Sequence, residues 1–178
     1  MTMQYDVSTV HLNSTGFAYV GRTRVKGLVI TSTGTTGGTV GVWDTLTALV
    51  SATYEQSTTT VTVTKVAHGL VTGQKVGLSF ATAGGNSATN GNYVITRTGA
   101  DTFTITDINS RTIAASTACS YVANTADGNS TQWHATFDIP AFAGTTTILF
   151  PGEGVLIENA LYLTLTATYI SAVTAFYG

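Results

Sequence analysis

Apolar and hydroxyl-bearing residues alternate in short bursts along the whole chain, and no window sustains the three-and-four spacing of an amphipathic helix. A period of two places successive side chains on opposite faces of a strand, so this pattern dictates half-buried antiparallel sheet. In Thr60 to Lys65, Val61 and Val63 face one way and Thr60, Thr62 and Thr64 the other. Trp133, Ala135, Phe137 and Ile139 form an apolar face against His134, Thr136 and Asp138. Leu161, Leu163 and Leu165 alternate with Tyr162, Thr164 and Thr166. Threonine suits the wet faces because its β-branch fits the pleat.

Turn chemistry punctuates these runs at the spacing of sandwiches and barrels, at Gly34-Thr35-Thr36-Gly37-Gly38, Thr98-Gly99-Ala100-Asp101, Asp127-Gly128-Asn129 and Pro151-Gly152-Glu153-Gly154. Pro140 and Pro151 each stand at the C-terminal edge of an expected strand, where a missing amide donor costs little. Between Ser57 and Val122 lie five short strand patterns: Thr60 to Lys65, Lys75 to Phe80, Gly91 to Arg97, Thr102 to Thr106 and Thr112 to Val122. Neither flank has strands enough to stand alone. The expected fold is therefore all-β: an antiparallel, jelly-roll-like β-sandwich from 21–56 and 123–178, with 57–122 inserted as a small β-barrel module. Glu55 to Thr59 and Ala123 to Ser130 read as the outgoing and return linkers, and residues 1–20 as an N-terminal arm.

Charged residues make up only 9% of the chain, against about 25% in an ordinary soluble domain. Thr, Ser, Asn and Gly take their place, and a net charge of -2 gives a free monomer little self-repulsion. Such a surface suits a permanent assembly. The seven Lys and Arg residues are scattered, so duplex nucleic acid is not an expected partner. Arg22, Arg24 and Lys26 form the one cluster, on a single strand face, and read as a solvated face or an interface. No stretch approaches the length of apolar sequence that spans a bilayer, and Met1 to Leu12 lacks the pattern of a signal peptide, so no membrane is expected. One cysteine, Cys119, permits no internal disulfide and fits a reducing cytosol. The acceptor patterns Asn13-Ser14-Thr15 and Asn129-Ser130-Thr131 mean little without a secretory route.

The candidate sites reduce to structural readings. His68-Gly69-Leu70-Val71-Thr72-Gly73 superficially suggests a phosphate loop, but it lacks the Gly-Lys-Ser/Thr ending and no helix follows. His11, His68 and His134 have no metal-ligand spacing. Cys119 lies within a strand, with no nearby group to lower its pKa. Glu153 and Glu158 flank one short strand with no reason to converge as an acid/base pair. Trp43 and Trp133, with Tyr5, Tyr54, Tyr93, Tyr162 and Tyr177, could line a sugar-binding face. Alternation assigns Trp133 to the core and leaves Trp43 beside Asp44 as the open ring. We expect no catalytic, cofactor-binding or metal-binding residue, and no enzyme.

Two stretches carry resemblances. Ala67-His68-Gly69-Leu70-Val71-Thr72-Gly73-Gln74-Lys75-Val76, then Asn90-Gly91-Asn92-Tyr93-Val94-Ile95, then Asp101-Thr102-Phe103-Thr104-Ile105, resemble a small β-domain found in phage virion proteins. That domain is similar to the first-catalytic-cysteine-half insert of ubiquitin-activating enzymes. The likeness covers roughly a third of the chain and implies no ubiquitin chemistry, because the catalytic cysteine of those enzymes lies outside the insert. Gly21-Arg22-Thr23-Arg24-Val25-Lys26-Gly27, Phe150-Pro151-Gly152-Glu153-Gly154-Val155-Leu156 and Val173-Thr174-Ala175-Phe176-Tyr177-Gly178 resemble small virion proteins of tailed phages. These resemblances imply a virion structural protein. The expectation is a capsid decoration (cement) protein, a homotrimer bound to the major capsid protein on the outer capsid surface and assembled in the bacterial cytoplasm. A tail, adaptor or fibre component is the first alternative, and a carbohydrate-binding module for host attachment the second.

Overall fold

A computed structural model of the chain describes residues 7–34, 36–82, 85–123, 132–166 and 168–178, and every regular element among them is a strand. The fold is all-β, as the alternation requires. The chain divides into two compact units: Met1–Leu46 with His134–Gly178, and Thr47–Trp133.

The first unit is a β-sandwich. One sheet runs in the order β1 (Ser8–Leu12), β14 (Ile170–Tyr177), β3 (Thr23–Thr33), β11 (Ala143–Leu149), with β12 (Val155–Ile157) also pairing with β3. The other runs β10 (Gln132–Ile139), β4 (Gly38–Asp44), β13 (Ala160–Leu165), β2 (Gly16–Val20). Leu28, Ile30, Val173 and Ala175 of the first sheet share one core with Val40, Val42, Leu161 and Leu163 of the second. Leu165 joins them, so all three leucines of that alternating run face inward. Each such side chain contributes roughly 1.5–3 kcal/mol by leaving water.

Residues 8–20 form sheet and not the expected arm. β1 pairs with β14 from Ser8↔Tyr177 to Leu12↔Val173, and β2 pairs with β13. Val10 and Leu12 pack against the core, and Ala18 is buried within it. Their alternation is faint because β1 and β2 are edge strands, whose outward faces have little to bury. Met1–Asp6, which complete the expected arm, lie outside the described residues.

The second unit contains β5 (Val50–Thr64), β6 (Lys75–Phe80), β7 (Gly91–Val94), β8 (Thr96–Arg97) and β9 (Thr102–Ala123). The sheet order is β5-β9-β6-β7, with β8 against β9. β6 pairs with β7 and with the C-terminal half of β9, while β8, one residue beyond β7, pairs with the N-terminal half of β9. Val61, Val63, Val76, Leu78, Phe103, Ile105 and Tyr121 supply its core. The runs expected at Thr102 to Thr106 and Thr112 to Val122 are one strand, β9, which pairs with β5 through register shifts at Tyr54/Gln56 and Thr58/Thr60.

The boundaries differ from those expected. They fall after Leu46 and after Trp133, where 56/57 and 122/123 were anticipated. The supposed outgoing linker, Glu55 to Thr59, lies inside β5. Its polar run is accommodated by the bulge, with Thr58 at φ 56°. Gln56 is buried there, its Nε2 donating to the carbonyls of Thr58 at 2.9 Å and Asn109 at 2.7 Å. Most of the return linker, 124–130, lies outside the described residues.

Candidate assembly surface

The sandwich unit gathers its three cations and the carboxylates of Glu153 and Glu158 at one corner, while Asp138 stands exposed on β10. The cations are Arg22, Arg24 and Lys26; the two arginines face carboxylates beside β12 and the lysine a backbone carbonyl there. Arg22 Nε meets Glu158 Oε2 at 3.1 Å, Arg24 Nε lies 3.6 Å from Glu153 Oε2, and Lys26 Nζ donates to the Glu153 carbonyl at 2.9 Å. These exposed pairs are worth about 0–1 kcal/mol each. The larger effect of the two arginine pairs is to neutralise Arg22 and Arg24, which leaves Lys26 without a carboxylate partner in these pairs. A recess of about 290 Å³ lies beside them, lined by Arg22, Thr23, Arg24, Leu156 and Gly178. Both arginines already face carboxylates, so the recess is no ready-made anion site. The reading of this cluster as a solvated face fits the exposure of Arg22 and Glu158, and Glu153 and Glu158 pair with separate arginines instead of converging.

Asp44 is the buried exception, at 1% exposed. It accepts three backbone N–H groups, from Glu158 at 2.7 Å, Asn159 at 2.9 Å and Ala160 at 3.1 Å, and so fixes the turn between β12 and β13. The strands β2, β11, β13 and β14 contain no Lys, Arg, Asp or Glu.

The outward face of the first sheet follows from the registers. Residues opposite in parity to the core members run across all four strands: His11, Thr174, Val29 and Thr147 in one row, and Thr9, Phe176, Gly27 and Leu149 in the next. Ala172, Thr31 and Thr145 begin a third. His11 Nδ1 lies 3.1 Å from Thr174 Oγ1 within this array. Leu149 is 77% exposed. The face is thus a pleated field of hydroxyls and apolar groups, without a formal charge beyond the Arg24 and Lys26 corner. β11 bounds it as an edge strand, paired with β3 alone among the described residues. Edges of this kind are normally guarded by charge, proline or a bulge. β11 has none of these over its seven residues.

The remaining sequence candidates take structural places. The loop from His68 to Gly73 spends its amides internally. Ala67 N–H donates to Asp101 Oδ1, Leu70 N–H to His68 Nδ1, Val71 N–H to Gln74 Oε1 and Gly73 N–H to the Ile95 carbonyl. His68 Nε2 lies 3.3 Å from the Thr102 carbonyl, so a tautomer with its proton on Nε2 satisfies both ring nitrogens. The ring stands edge-on to Phe103 at 5.3 Å. His134 is half-buried, and its Nε2 has no hydrogen-bond partner. Burial pushes its imidazole below the ordinary range, against the opposing pull of Asp44. Cys119 is buried in β9, and desolvation pushes its thiol up to about 12.

The aromatic expectations need correction. Trp43 is fully buried, not open, on the face of β4 opposite Val42, with its indole N–H donating to Thr164 Oγ1 at 3.3 Å. It fits there because Gly41 has no side chain. A Cβ on Gly41 would lie 2.3 Å from Thr164 Oγ1 and 2.9 Å from Trp43 Nε1. Tyr162, its cross-strand partner, is buried as well and packs edge-on against Phe17 at 4.8 Å. Trp133, expected in the core, is half-buried and belongs to neither core cluster, and its backbone N–H donates to Asn92 Oδ1. Tyr54 is buried, Tyr93 and Tyr177 are half-buried, and Tyr5 lies outside the described residues, as do Asn129-Ser130-Thr131.

A polar network that sequence reading missed holds the second unit. Asp107, 1% exposed, accepts Thr89 N–H at 2.9 Å and Asn109 N–H at 3.2 Å and meets Arg111 Nη1 at 3.3 Å. Burial opposes its ionisation, yet the bonds from Thr89 and Asn109, with Arg111, hold it below the usual carboxylate range. Tyr93 donates to the Thr89 carbonyl, and burial pushes its phenol up to about 12. Among the described residues no three His, Cys, Asp or Glu side chains gather as a metal site, and no helix is long and apolar enough to cross a membrane.

The architecture is that of an all-β sandwich protein whose sequence is interrupted, at 47–133, by a second β unit. No protein-family model, no curated protein and no solved structure matches the chain.

Proposed function

We propose that the chain is a non-catalytic structural component of a tailed-phage particle, and within the particle a decoration protein that binds the shell of major capsid protein. The observation that supports this best is the charge distribution of the sandwich. Away from the Arg24 and Lys26 corner the outward sheet face and the seven-residue edge strand β11 carry no formal charge, and at that corner Arg22 and Arg24 face carboxylates. A free protein gains solubility from surface charge, whereas a permanent neighbour removes that need and profits from flat strands that pair or stack without desolvating ions. The sequence resemblance to virion proteins points the same way. A trimeric unit at local three-fold positions is the form we propose for it, by analogy with other shell-binding proteins.

Quantitative mass spectrometry of intact particles tests the proposal. A copy number approaching that of the major capsid protein is the expected result, with density on the shell in particle images. A dozen copies or fewer would move the chain to the tail or its adaptor. Absence from mature particles would end the virion reading. The carbohydrate-binding alternative loses its principal ring, because Trp43 is enclosed.

A further inference from the structure

We propose that β11 is a self-complementary edge by which a second copy of this chain extends the first sheet, antiparallel about a two-fold axis at Thr146. The strand reads Ala143-Gly144-Thr145-Thr146-Thr147-Ile148-Leu149. Pairing it with its own copy about Thr146 sets Thr145 against Thr147, Gly144 against Ile148, and Ala143 against Leu149. Each small residue meets a large one on the same face, and the threonines meet each other, which is how cross-strand neighbours fill a pleated surface. Parity is kept. Ala143, Thr145, Thr147 and Leu149 are the exposed set in the register with β3, and they remain on one face in the joined sheet.

Charge favours a second copy over a foreign partner. From Ile139 through Gly152 the chain has no ionised side chain, so self-pairing brings no like charges together within the ladder. A partner selected by charge would find nothing on this strand to recognise. The register with β3 is unbroken over all seven residues, which leaves a straight edge. Pro140 and Pro151 lie just outside the strand and limit the ladder to these seven residues.

The size of the contact says where it operates. Seven residues at about 3.3 Å each make a ladder about 23 Å long and, at sheet thickness of about 10 Å, roughly 230 Å² per partner. A stable dimer usually needs about 800 Å² per partner. The ladder therefore forms weakly between free chains and fully where neighbours are already held side by side, by effective concentration. This last step rests on the shell-binding proposal, in which the two-fold joins adjacent oligomers. The ladder itself is a property of the isolated chain.

Disulfide trapping of the purified full-length chain at millimolar concentration tests it. Across an antiparallel pair the Cα atoms lie about 4.5–5.5 Å apart, within disulfide range. Thr146→Cys should give covalent dimer at least about tenfold faster than Thr31→Cys, which is more exposed but lies on β3, away from the edge. The unmodified chain, whose Cys119 is buried, serves as blank. Adding Thr145→Lys and Thr147→Lys places like charges opposite each other at exposed positions and should abolish the trapping. Equal rates for Thr146→Cys and Thr31→Cys overturn the proposal, and so does trapping that survives the two lysines. Because the readout needs no particle, its failure leaves the shell-binding proposal standing, and absence of the chain from particles leaves the ladder standing.

Discussion

Asp44 accepts the backbone N–H of Asn159 on Oδ1 at 2.9 Å, tying together residues 115 apart in sequence. The same carboxylate takes the amides of Glu158 and Ala160, while Thr45 N–H donates to the Ala160 carbonyl and Gly21 N–H to that of Asn159. One side chain thereby satisfies a turn that joins the two sheets of the sandwich, because β12 belongs to one and β13 to the other. Asp44→Ala leaves three amides without their acceptor and should destabilise the sandwich by roughly 3–5 kcal/mol. Asp44→Asn keeps an oxygen for Asn159 and Ala160 but turns a donor toward Glu158, so a loss of about 1–2 kcal/mol is expected. Urea unfolding followed by Trp43 fluorescence in a Trp133→Phe background measures both, and an unchanged midpoint for Asp44→Ala would show that the anchor is dispensable.

The two units should respond to acid in different windows. His134 is held below its ordinary range by burial, so the unfolded chain takes up a proton that the folded sandwich resists. Its contribution is fully present above about pH 6.5 and is lost as pH falls from there through the lower folded value. Asp107 is also depressed, although burial opposes this, because Thr89, Asn109 and Arg111 favour the carboxylate. Its contribution is present above about pH 4 and lost below. Urea midpoints measured against pH should show the sandwich weakening first, and His134→Leu should flatten that limb. A sandwich midpoint that stays level between pH 7 and 5 would contradict the assignment.

Cys119 should behave as a reporter of opening and not as a reactive group. Its thiol is enclosed and pushed up to about 12 by desolvation. At pH 8 the thiolate fraction is then on the order of a thousandfold below that of a free cysteine. Labelling by iodoacetamide is expected to be slower by that factor in the native chain and to accelerate with urea as the second unit unfolds. Rapid native labelling would mean that β9 opens far more often than its packing implies.

Strand content was legible because alternation survives wherever one face meets a core, as Leu161, Leu163 and Leu165 do. It failed where facing changes along a strand. Glu55 to Thr59 resemble a linker because the bulge near Thr58 and the internally bonded Gln56 break the period within a continuous strand. Residues 8–20 carry only a weak pattern because each strand there has a neighbour on one side alone. The scarcity of charge was plain in the composition. The gathering of the sandwich's cations at one corner was not, since Arg22 and Arg24 meet Glu158 and Glu153 only through the pairing of β12 with β3.

Trp43 separates a packing role from a binding one. A ring beside an aspartate, after two inward valines, reads as outward and free, and it is indeed on the outer side of β4. It is nevertheless wholly enclosed, and its indole N–H is engaged by Thr164. Trp43→Ala should cost about 3–5 kcal/mol, as expected for emptying the volume of a large aromatic. Trp43→Phe retains most of the apolar contact, gives up the bond to Thr164, and should cost less, about 1–2 kcal/mol. A ring that served a glycan would give the opposite pattern: little change in urea midpoint for either variant and a loss of signal on a glycan array. If both midpoints stay near that of the unmodified chain, the enclosed placement of Trp43 is wrong and the sugar-binding alternative regains its ring.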